Sequence, residues 1–427
     1  MNLIKNSLIT FFVTVPATAF SYIITYLLAN KLGASGLGDI RLIINNVSLF
    51  AFLGGMGFHI STTYYYGQDK SFLNRIFWNT LLYTSGISIV LMSLYHFISP
   101  MVLKDIDQSY ISKAIPVIFL ILATNLLSSI ISARLKFIKN GIVTVSQRAV
   151  YLLLVLILLY KNNLTINSVL YSFLFSYLIS FILGVLFSRE DITRPEIDLS
   201  LIWKFIKYGV RGHLANVFQR LNFRLDLYII NYFFISEQVG FYTIAVAASE
   251  ILLFIPRSIS TVLFPVVSHF QSTEEAGRYT AQVCRITFVL MTISAAVLLL
   301  AGKFLILFFF EDFDRSIMPF YILVPGIVFL SIGYILSNFF SGKGYPEVPT
   351  YSAFTALIAT IILDLVLIPV YNINGAALAS TIAYLIHTVV FIYFFIKRTG
   401  LPLSNIIVFR KNDYEILLER LRVIIKL

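Results

Sequence analysis

Charged residues and cysteine are both scarce in this sequence. Only 12% of its 427 residues are charged, whereas a soluble domain averages about 25%. Hydrophobic residues make up 58% of the chain, and the mean hydropathy is +0.86. This composition is typical of a polytopic membrane protein and excludes a soluble enzyme. The single cysteine, Cys284, excludes an intramolecular disulfide framework and a thiolate metal cluster, and we expect it to be a small core residue.

The familiar catalytic and nucleotide-binding motifs are also missing. The glycine–lysine pairs lack the upstream glycine of a P-loop, H-E-x-x-H does not occur, and the five histidines show no metal-ligand spacing. The glycines of 33–38 and 54–57 are not in G-x-G-x-x-G order, and close helix packing accounts for them better. We therefore expect no cofactor and no metal site.

One short acidic motif is present. Asp105-Ile106-Asp107 has the D-x-D form with which metal-dependent glycosyltransferases bind a divalent cation. The alternative is a solvated acidic loop balanced by Lys104 and Lys113, which is the interpretation we favour.

Apolar runs of about 20 residues, long enough to cross a bilayer, recur about twelve times. The first run continues to about Ala29, which is too long for the core of a signal peptide, so we predict a retained first helix. The fold class is therefore all-α, a polytopic membrane protein with about twelve transmembrane helices. The predicted spans lie near 8–29, 42–63, 77–98, 114–133, 142–160, 168–188, 205–234, 240–265, 282–301, 317–340, 351–371 and 375–396.

Lysine and arginine predict the orientation. With the amino terminus in the cytoplasm, the cytoplasmic connections hold more than twice as many of the 32 basic residues as the outer ones. Both termini should then be cytoplasmic. The net charge of +11 lies mainly in short connections between spans, so lipid headgroups explain it and no nucleic-acid partner is expected.

The segment 189–204 is the most charged internal connection, and we predict that it is a cytoplasmic linker between two six-helix lobes. The N-terminal lobe would cover 1–188 and the C-terminal lobe 205–397. A weak internal repeat supports two related halves, because GLGDIRLIINNVSLF aligns with QVGFYTIAVAASEIL and pairs Gly38 with Gly240.

The remaining segment, 398–427, would be a cytoplasmic tail. Its last residues mix apolar and basic side chains, and Asp413 is placed to cap a helix. We predict an interfacial amphipathic helix that lies on anionic membrane lipids.

Ionisable residues within the spans are the main functional signal, since such groups usually face a bundle interior or a wet cavity. His213, Asn216, Arg220 and Arg224 lie roughly on one helical face of span 205–234. We predict a site for an anion, phosphate above all, held by bidentate hydrogen bonds. The candidate substrate-binding residues are Arg41, Arg148, Arg211, Asn216, Arg220, Arg224 and Arg257, and the candidate ion-coupling residues are His213, Asp226, Glu250 and Asp364.

Internal salt bridges are the alternative interpretation of these charges. Glu250 and Arg257 are seven residues apart and would share a face, so they would pair with each other or with the arginines of span 205–234. Basic residues outnumber acids here, however, and an uncompensated arginine inside a membrane needs water or a mobile anion.

Four stretches resemble one known family. They are GASGLGDIRLI (33–43), VGFYTIAVAASEIL (239–252), PFYILVPGIVFLSIGYILSNFFSGKGYPEVP (319–349) and INGAALASTIAYLI (373–386). They resemble, in order along the chain, the polysaccharide and O-antigen flippases of the multidrug/oligosaccharidyl-lipid/polysaccharide exporter superfamily. The resemblance implies a MATE-like fold of two six-helix lobes around a central cavity, working by alternating access in a bacterial cytoplasmic membrane.

The resemblance also implies a substrate and partners. The substrate would be an undecaprenyl-pyrophosphate-linked oligosaccharide carried to the outer leaflet for O-antigen, capsule or exopolysaccharide assembly, with a polysaccharide polymerase and a chain-length regulator as partners. Two other functions remain open: a cation-coupled drug antiporter of the same fold, and a membrane glycosyltransferase or polymerase. The drug-exporting branch typically carries an acid in its first helix, and 8–29 contain none. A membrane glycosyltransferase or polymerase usually needs a large outer loop, and the longest predicted outer loop of this chain, 98–113, is modest in length.

Overall fold

The computed structural model describes residues 3–410 and Asp413, with side chains described from Val15 onward except those of Arg211 and Thr261. The described chain is helical, with short 3-10 turns at Lys70–Phe72, Ile251–Leu253 and Asp314–Ser316. Its helices are α1 (Leu3–Gly54), α2 (Phe58–Gln68), α3 (Leu73–Val102), α4 (Gln108–Ala133), α5 (Phe137–Tyr160), α6 (Ile166–Ser188), α7 (Leu199–Asn222), α8 (Leu225–Phe233), α9 (Ser236–Glu250), α10 (Phe254–His269), α11 (Thr273–Phe309), α12 (Ile317–Gly342), α13 (Glu347–Thr399) and α14 (Ser404–Ile407).

Length and hydropathy make nine segments of the described chain suitable to cross a membrane. Two of them, within α1 and α13, each overlap two of the predicted spans. Each of these elements comprises two helices that join at a residue with non-helical backbone angles, Gly33 in α1 and Asn372 in α13. Large apolar side chains such as Phe97 and Leu300 are exposed on these helices, as expected for surfaces that face lipid. The all-helical, multi-pass architecture is therefore confirmed, while the count of twelve stays a prediction.

Three predicted spans are interrupted in the structure. The stretch 42–63 contains the end of α1 and the start of α2, and 240–265 contains the 3-10 turn between α9 and α10. The stretch 205–234 was expected to be one helix, but α7 ends at Asn222 and α8 begins at Leu225, with a turn at Phe223 and Arg224 between them. The Arg224 amide donates to the carbonyl of Leu221 at 3.0 Å, three residues back instead of four.

The chain divides into two compact units. The first unit comprises 1–220, 227–243 and 309–313, and the second comprises 221–226, 244–308 and 314–427. The predicted lobe boundaries at 188 and 205 stay a prediction.

The first unit contains a reciprocal contact between the two glycines that the predicted repeat pairs, Gly38 and Gly240. A Cβ on Gly38 would lie 1.8 Å from the Ser236 carbonyl oxygen, and a Cβ on Gly240 would lie 1.9 Å from that of Ala34. Each segment therefore has a small residue, three arbitrary residues and a glycine, a spacing that lets helix backbones approach closely. We call this contact the glycine crossing.

The connection 189–198 is bound along the first unit. Lys136 and Lys139 both bind the Glu190 carboxylate, and Arg134 donates to the Glu190 carbonyl at 2.8 Å. The hydrogen bonds from Lys136 and Lys139 lower the pKa of Glu190 to about 2. Further along, Arg75 forms an ion pair with Glu196 at 3.1 Å. This part of the predicted linker is therefore held against the first unit by hydrogen bonds and ion pairs.

In the second unit, α10, α11, α12 and α13 share an apolar core around Phe339, Phe340 and Phe395. The chain after α14 is tied to this unit by a buried ion pair, in which Arg285 binds both Asp413 oxygens at 2.7 and 2.8 Å. Burial raises the pKa of Asp413, but its hydrogen bonds from Arg285 and the Arg410 amide outweigh that effect and leave the pKa below its ordinary value. The amphipathic helix predicted beyond Asp413 lies outside the described residues.

Candidate functional site

The first unit brings together three of the candidate arginines from three different helices. Arg148 on α5 and Arg220 on α7 both interact electrostatically with Tyr177 of α6. Arg41 on α1 interacts in the same way with Tyr151, one turn along α5 from Arg148. We call Arg41, Arg148 and Arg220 the arginine cluster.

Other contacts hold two members of the arginine cluster in place. Arg41 donates a hydrogen bond to the Thr25 hydroxyl, on the same helix before its bend. The Arg220 guanidinium lies 4.7 Å from the centre of the Phe52 ring, within cation–π range. The three arginine side chains are half-buried, so they are neither solvated surface charges nor sealed in a core.

The other candidates on α7 have separate surroundings. His213 is buried, and its Nε2 lies 3.1 Å from the Phe52 carbonyl oxygen near the end of α1. Its Nδ1 has no hydrogen-bond partner among the described residues, and the His59 ring lies 6.0 Å away. Asn216 is exposed. The side chain of Arg211 lies outside the described residues.

Arg224 does not belong with Arg220, contrary to the predicted single stripe. The turn at its position places it in the second unit, where it forms an ion pair with Glu250 at 3.4 Å. Glu250 and Arg257 do not share a helical face either, because α9 ends at Glu250 and a 3-10 turn precedes α10. Arg257 is exposed and lies 6.0 Å from the centre of the Tyr334 ring. The salt-bridge interpretation therefore holds for Arg224 and Glu250.

Two of the candidate acids meet inside the second unit. Asp364 on α13 is fully buried, and neither of its carboxylate oxygens has a hydrogen-bond partner among the described residues. It interacts electrostatically with Asp226, which is 4% exposed. One turn before Asp364, Thr360 donates to the Asn222 side-chain oxygen. We call Asp226, Asp364, Thr360 and Asn222 the acid pocket.

These two groups of residues have opposite chemistry. Three guanidinium groups near two tyrosine hydroxyls form a donor-rich site suited to an anion. The acid pocket has two carboxylates and two neutral side-chain oxygens, which suit a proton or a small hard cation, and Arg224 interacts electrostatically with Asp226 at its edge.

Sequence reasoning missed Tyr151, Tyr177, Thr360 and Asn222. Tyr151 lies three residues after Arg148 and Thr360 four before Asp364, so helical spacing alone would have placed each beside a candidate. The contacts of Tyr177 and Asn222 cross between helices, and no local spacing reveals them.

The D-x-D motif has a structural role in the described chain. The Asp107 carboxylate accepts a hydrogen bond from the Ser109 amide at 2.7 Å and caps α4. Hydrogen bonds from Ser109 also lower the pKa of Asp107.

Comparisons with known proteins show a family, through a family model, and a fold, through solved structures. A family model described as a polysaccharide biosynthesis protein matches residues 27–317. A Haloferax volcanii protein, described as the probable low-salt glycan biosynthesis flippase Agl15, is 20% identical over 237 residues, which are 54% of this chain and 50% of that protein. The chain thus spans about half the length of the curated relative that it matches.

Solved structures with this fold cover nearly the whole chain. An inward-facing multidrug resistance MATE family transporter of the MOP superfamily has a TM-score of 0.74 at 11% identity, covering 92% of this chain and 98% of that one. The lipid II flippase MurJ, in an inward closed conformation, has a TM-score of 0.72 at 18% identity, covering 98% and 96%. A MOP superfamily transporter from Pyrococcus furiosus has a TM-score of 0.66 at 14% identity, covering 93% and 95%. At these identities the likeness shows the fold alone.

Proposed function

The chain belongs to the polysaccharide biosynthesis protein family, and from that membership we propose that it is a flippase for lipid-linked oligosaccharides. Its substrate is an undecaprenyl-pyrophosphate-linked repeat unit, moved from the cytoplasmic to the outer leaflet of a bacterial cytoplasmic membrane by alternating access. In support, one protein of similar sequence is described as a probable low-salt glycan biosynthesis flippase, and one protein of similar fold is described as a lipid II flippase. The product would serve O-antigen, capsule or exopolysaccharide assembly, and a polymerase and a chain-length regulator would act after it.

The observation that carries this proposal is the arginine cluster. A diphosphate has several anionic oxygens, and arginine binds such groups through paired, charge-assisted hydrogen bonds. The arginine cluster is built from three helices. A change in the packing of these helices would therefore change the affinity of the whole cluster for a diphosphate. Tyr151 and Tyr177 add hydroxyl groups beside the guanidinium groups.

The experiment is transport of a fluorescent lipid-linked disaccharide in proteoliposomes, followed by quenching at the outer leaflet. Hydrogen bonds to a charged group contribute about 1.5–3 kcal/mol, so Arg148→Ala should slow leaflet exchange roughly 10- to 150-fold. The matched control is Arg75→Ala, which removes an exposed arginine paired with Glu196 and should leave the rate unchanged. A wild-type rate in Arg148→Ala would contradict the anion-site role.

The same assay separates this proposal from the two alternatives. An antiporter of this fold would export ethidium and ignore the lipid-linked sugar. A glycosyltransferase or polymerase would form a glycosidic bond without leaflet exchange. We propose a transporter and no catalytic role.

We propose further that the acid pocket couples transport to a proton or sodium gradient. A buried carboxylate without a hydrogen-bond donor is costly as a bare charge, so Asp364 needs a proton or a bound cation. Asp226 would supply a second carboxylate, and Thr360 and Asn222 supply neutral oxygens. The alternative drive is the membrane potential, which favours outward movement of each negative charge by about 2.3 kcal/mol per 100 mV.

Asp364→Asn distinguishes these two drives. If the acid pocket couples transport, this variant should lose the response to proton or sodium gradients while it still binds the diphosphate. Glu274→Gln is the control, since Glu274 is an exposed acid paired with Arg278 one turn away. An undiminished gradient response in Asp364→Asn would refute the coupling role.

A further inference from the structure

An aromatic ladder joins α2 to the first half of α7 within the first unit. The backbones meet where a Cβ on Gly57 would lie 2.1 Å from the Gly209 carbonyl oxygen. The Ser61 hydroxyl donates to the Phe205 carbonyl at 2.6 Å. These two contacts fix the positions of the rings that extend from the two helices.

The ladder ends in a pair of exposed tyrosines. Tyr65 stacks on the buried Phe205, with ring centres 5.0 Å apart and planes 8° apart. Tyr64 stacks on Tyr208, with ring centres 4.3 Å apart and planes 19° apart. Tyr64 and Tyr208 are 41% and 39% exposed, although both are large rings. We call this pair the tyrosine platform.

The tyrosine platform lies on a ridge of α7 that leads to the arginine cluster. Residues four apart on a helix are neighbours along one ridge, and this ridge contains Lys204, Tyr208, Gly212, Asn216 and Arg220. The first four are exposed and Arg220 is half-buried. At 1.5 Å per residue the ridge is about 24 Å long. We call it the α7 ridge.

We propose that the α7 ridge binds the glycan of the substrate and that the tyrosine platform is a stacking site for one sugar ring. This inference rests on the proposed function, because it assumes that the diphosphate binds the arginine cluster. The first sugar is bonded to the diphosphate, so the glycan would extend along the ridge from Arg220 towards Lys204.

The chemistry of the ridge suits a sugar. A pyranose has an apolar face of C–H groups. The hydrogens of these groups carry a partial positive charge, which complements the negative face of an aromatic ring. Its hydroxyl groups need both donors and acceptors, and the Asn216 amide and the tyrosine hydroxyls offer both. Between Tyr208 and Asn216, the glycine at 212 makes room for the Ile60 side chain of α2, whose Cδ1 would lie 2.9 Å from a Cβ there.

The competing explanation is an aromatic belt, since tyrosine is common where a helix meets the lipid–water interface. A belt residue contacts lipid headgroups and has no preference for glycosylated ligands. The two explanations differ in whether the sugar itself adds affinity.

Binding can be measured through Trp203, which is on α7 five residues before Tyr208 and is 67% exposed. The chain has two tryptophans, and Trp78→Phe removes the other one, whose buried indole N–H has no hydrogen-bond partner among the described residues. In this background, the fluorescence of Trp203 would be titrated with farnesyl diphosphate and with a farnesyl-diphosphate-linked disaccharide in detergent.

Tyr208→Leu should weaken binding of the glycosylated probe and leave farnesyl diphosphate unaffected. The expected loss is roughly 2- to 12-fold, the factor that corresponds to about 0.5–1.5 kcal/mol of ring stacking. Tyr208→Phe keeps the ring and should keep the affinity. Tyr64→Leu tests the same platform from α2 and should reproduce the loss. Tyr160→Leu, at a 90% exposed tyrosine at the end of α5, should change neither affinity.

The outcomes that overturn the glycan site differ from the one that overturns the diphosphate site. Equal losses for the two probes in Tyr208→Leu, or full affinity in both Tyr208→Leu and Tyr64→Leu, would indicate a lipid-facing belt. Unchanged binding of both probes in Arg148→Ala would instead contradict the proposed diphosphate site, whatever the tyrosine variants show. A wild-type protein that binds neither probe would refute both proposals.

Discussion

The glycine crossing allows a sharp test of the packing in the first unit. Gly240→Ala would place a Cβ 1.9 Å from the Ala34 carbonyl oxygen and 2.6 Å from its carbon. Real Cβ atoms are essentially never found within 3.0 Å of another heavy atom in this way. Because both clashing atoms belong to the backbone, no rotation of a side chain relieves the overlap, and the two segments must separate by about 1 Å or more.

The cost follows from close packing. Protein interiors are dense and hardly compressible, and forcing an extra methyl group into a packed contact costs about 1–3 kcal/mol and sometimes more. We expect the upper end of that range for Gly240→Ala and for Gly38→Ala. The double variant should cost less than the sum of the two, because the first substitution already separates the same contact that the second one strains.

The measurement is the free energy of unfolding of purified protein in mixed micelles. Gly86→Ala in α3 is the control, since a Cβ there meets nothing within 4 Å. It should raise the unfolding free energy by about 0.5–1 kcal/mol, because alanine loses less conformational freedom on folding than glycine. If Gly240→Ala proves as stable as Gly86→Ala, or if the two crossing variants are simply additive, the close reciprocal contact is refuted.

Three further changes probe other contacts. Asp413→Asn leaves the Arg285 guanidinium buried without its carboxylate and should lower the unfolding free energy of the protein by about 3–5 kcal/mol. Replacing both partners, as Arg285→Met with Asp413→Leu, should recover most of this loss. Equal losses in the single and double variants would contradict the buried pair. The pKa of Glu190 is lowered to about 2 from an ordinary value of 4.5, so its stabilising contribution is complete above about pH 4.5 and is lost as the pH falls through 2. The difference in Tm between wild type and Glu190→Gln should shrink over that interval, and a constant difference would be inconsistent with the lysine contacts. Asn372 has φ 53° and ψ −138°, and a positive φ costs alanine more than glycine. In chemical unfolding, Asn372→Gly should therefore be more stable than Asn372→Ala by about 1–2 kcal/mol. Equal stability of the two variants would show that the bend is unstrained.

The sequence predicted the character of the fold from features that are local. Apolar runs of spanning length predict membrane helices, because every backbone polar group inside a bilayer must be satisfied within the segment. The alignment that pairs Gly38 with Gly240 predicts related halves, and this stays a prediction. The contact between these two glycines is a separate finding of the structure. The scarcity of charge outside a few positions also limited the candidates for the site.

Helical periodicity failed where the helix itself ended. Arg220 and Arg224 are one turn apart in the sequence, and a continuous helix would place them side by side. The turn at Phe223 and Arg224 sends them to different units, where one joins the arginine cluster and the other pairs with Glu250. No proline or glycine marks this break in the sequence, so nothing local predicts it.

The sequence by itself determined that the chain is a membrane protein of apolar helices with a few buried ionisable side chains, because hydropathy and length are properties of each segment alone. Only the tertiary structure decided which of those side chains meet. Arg148 and Arg220 both interact with Tyr177, Arg41 interacts with Tyr151, and Asp364 interacts with Asp226. These interactions join helices that are distant in the chain. Such contacts depend on where each helix bends, ends and packs, and a periodicity of 3.6 residues carries no information about the neighbouring helix.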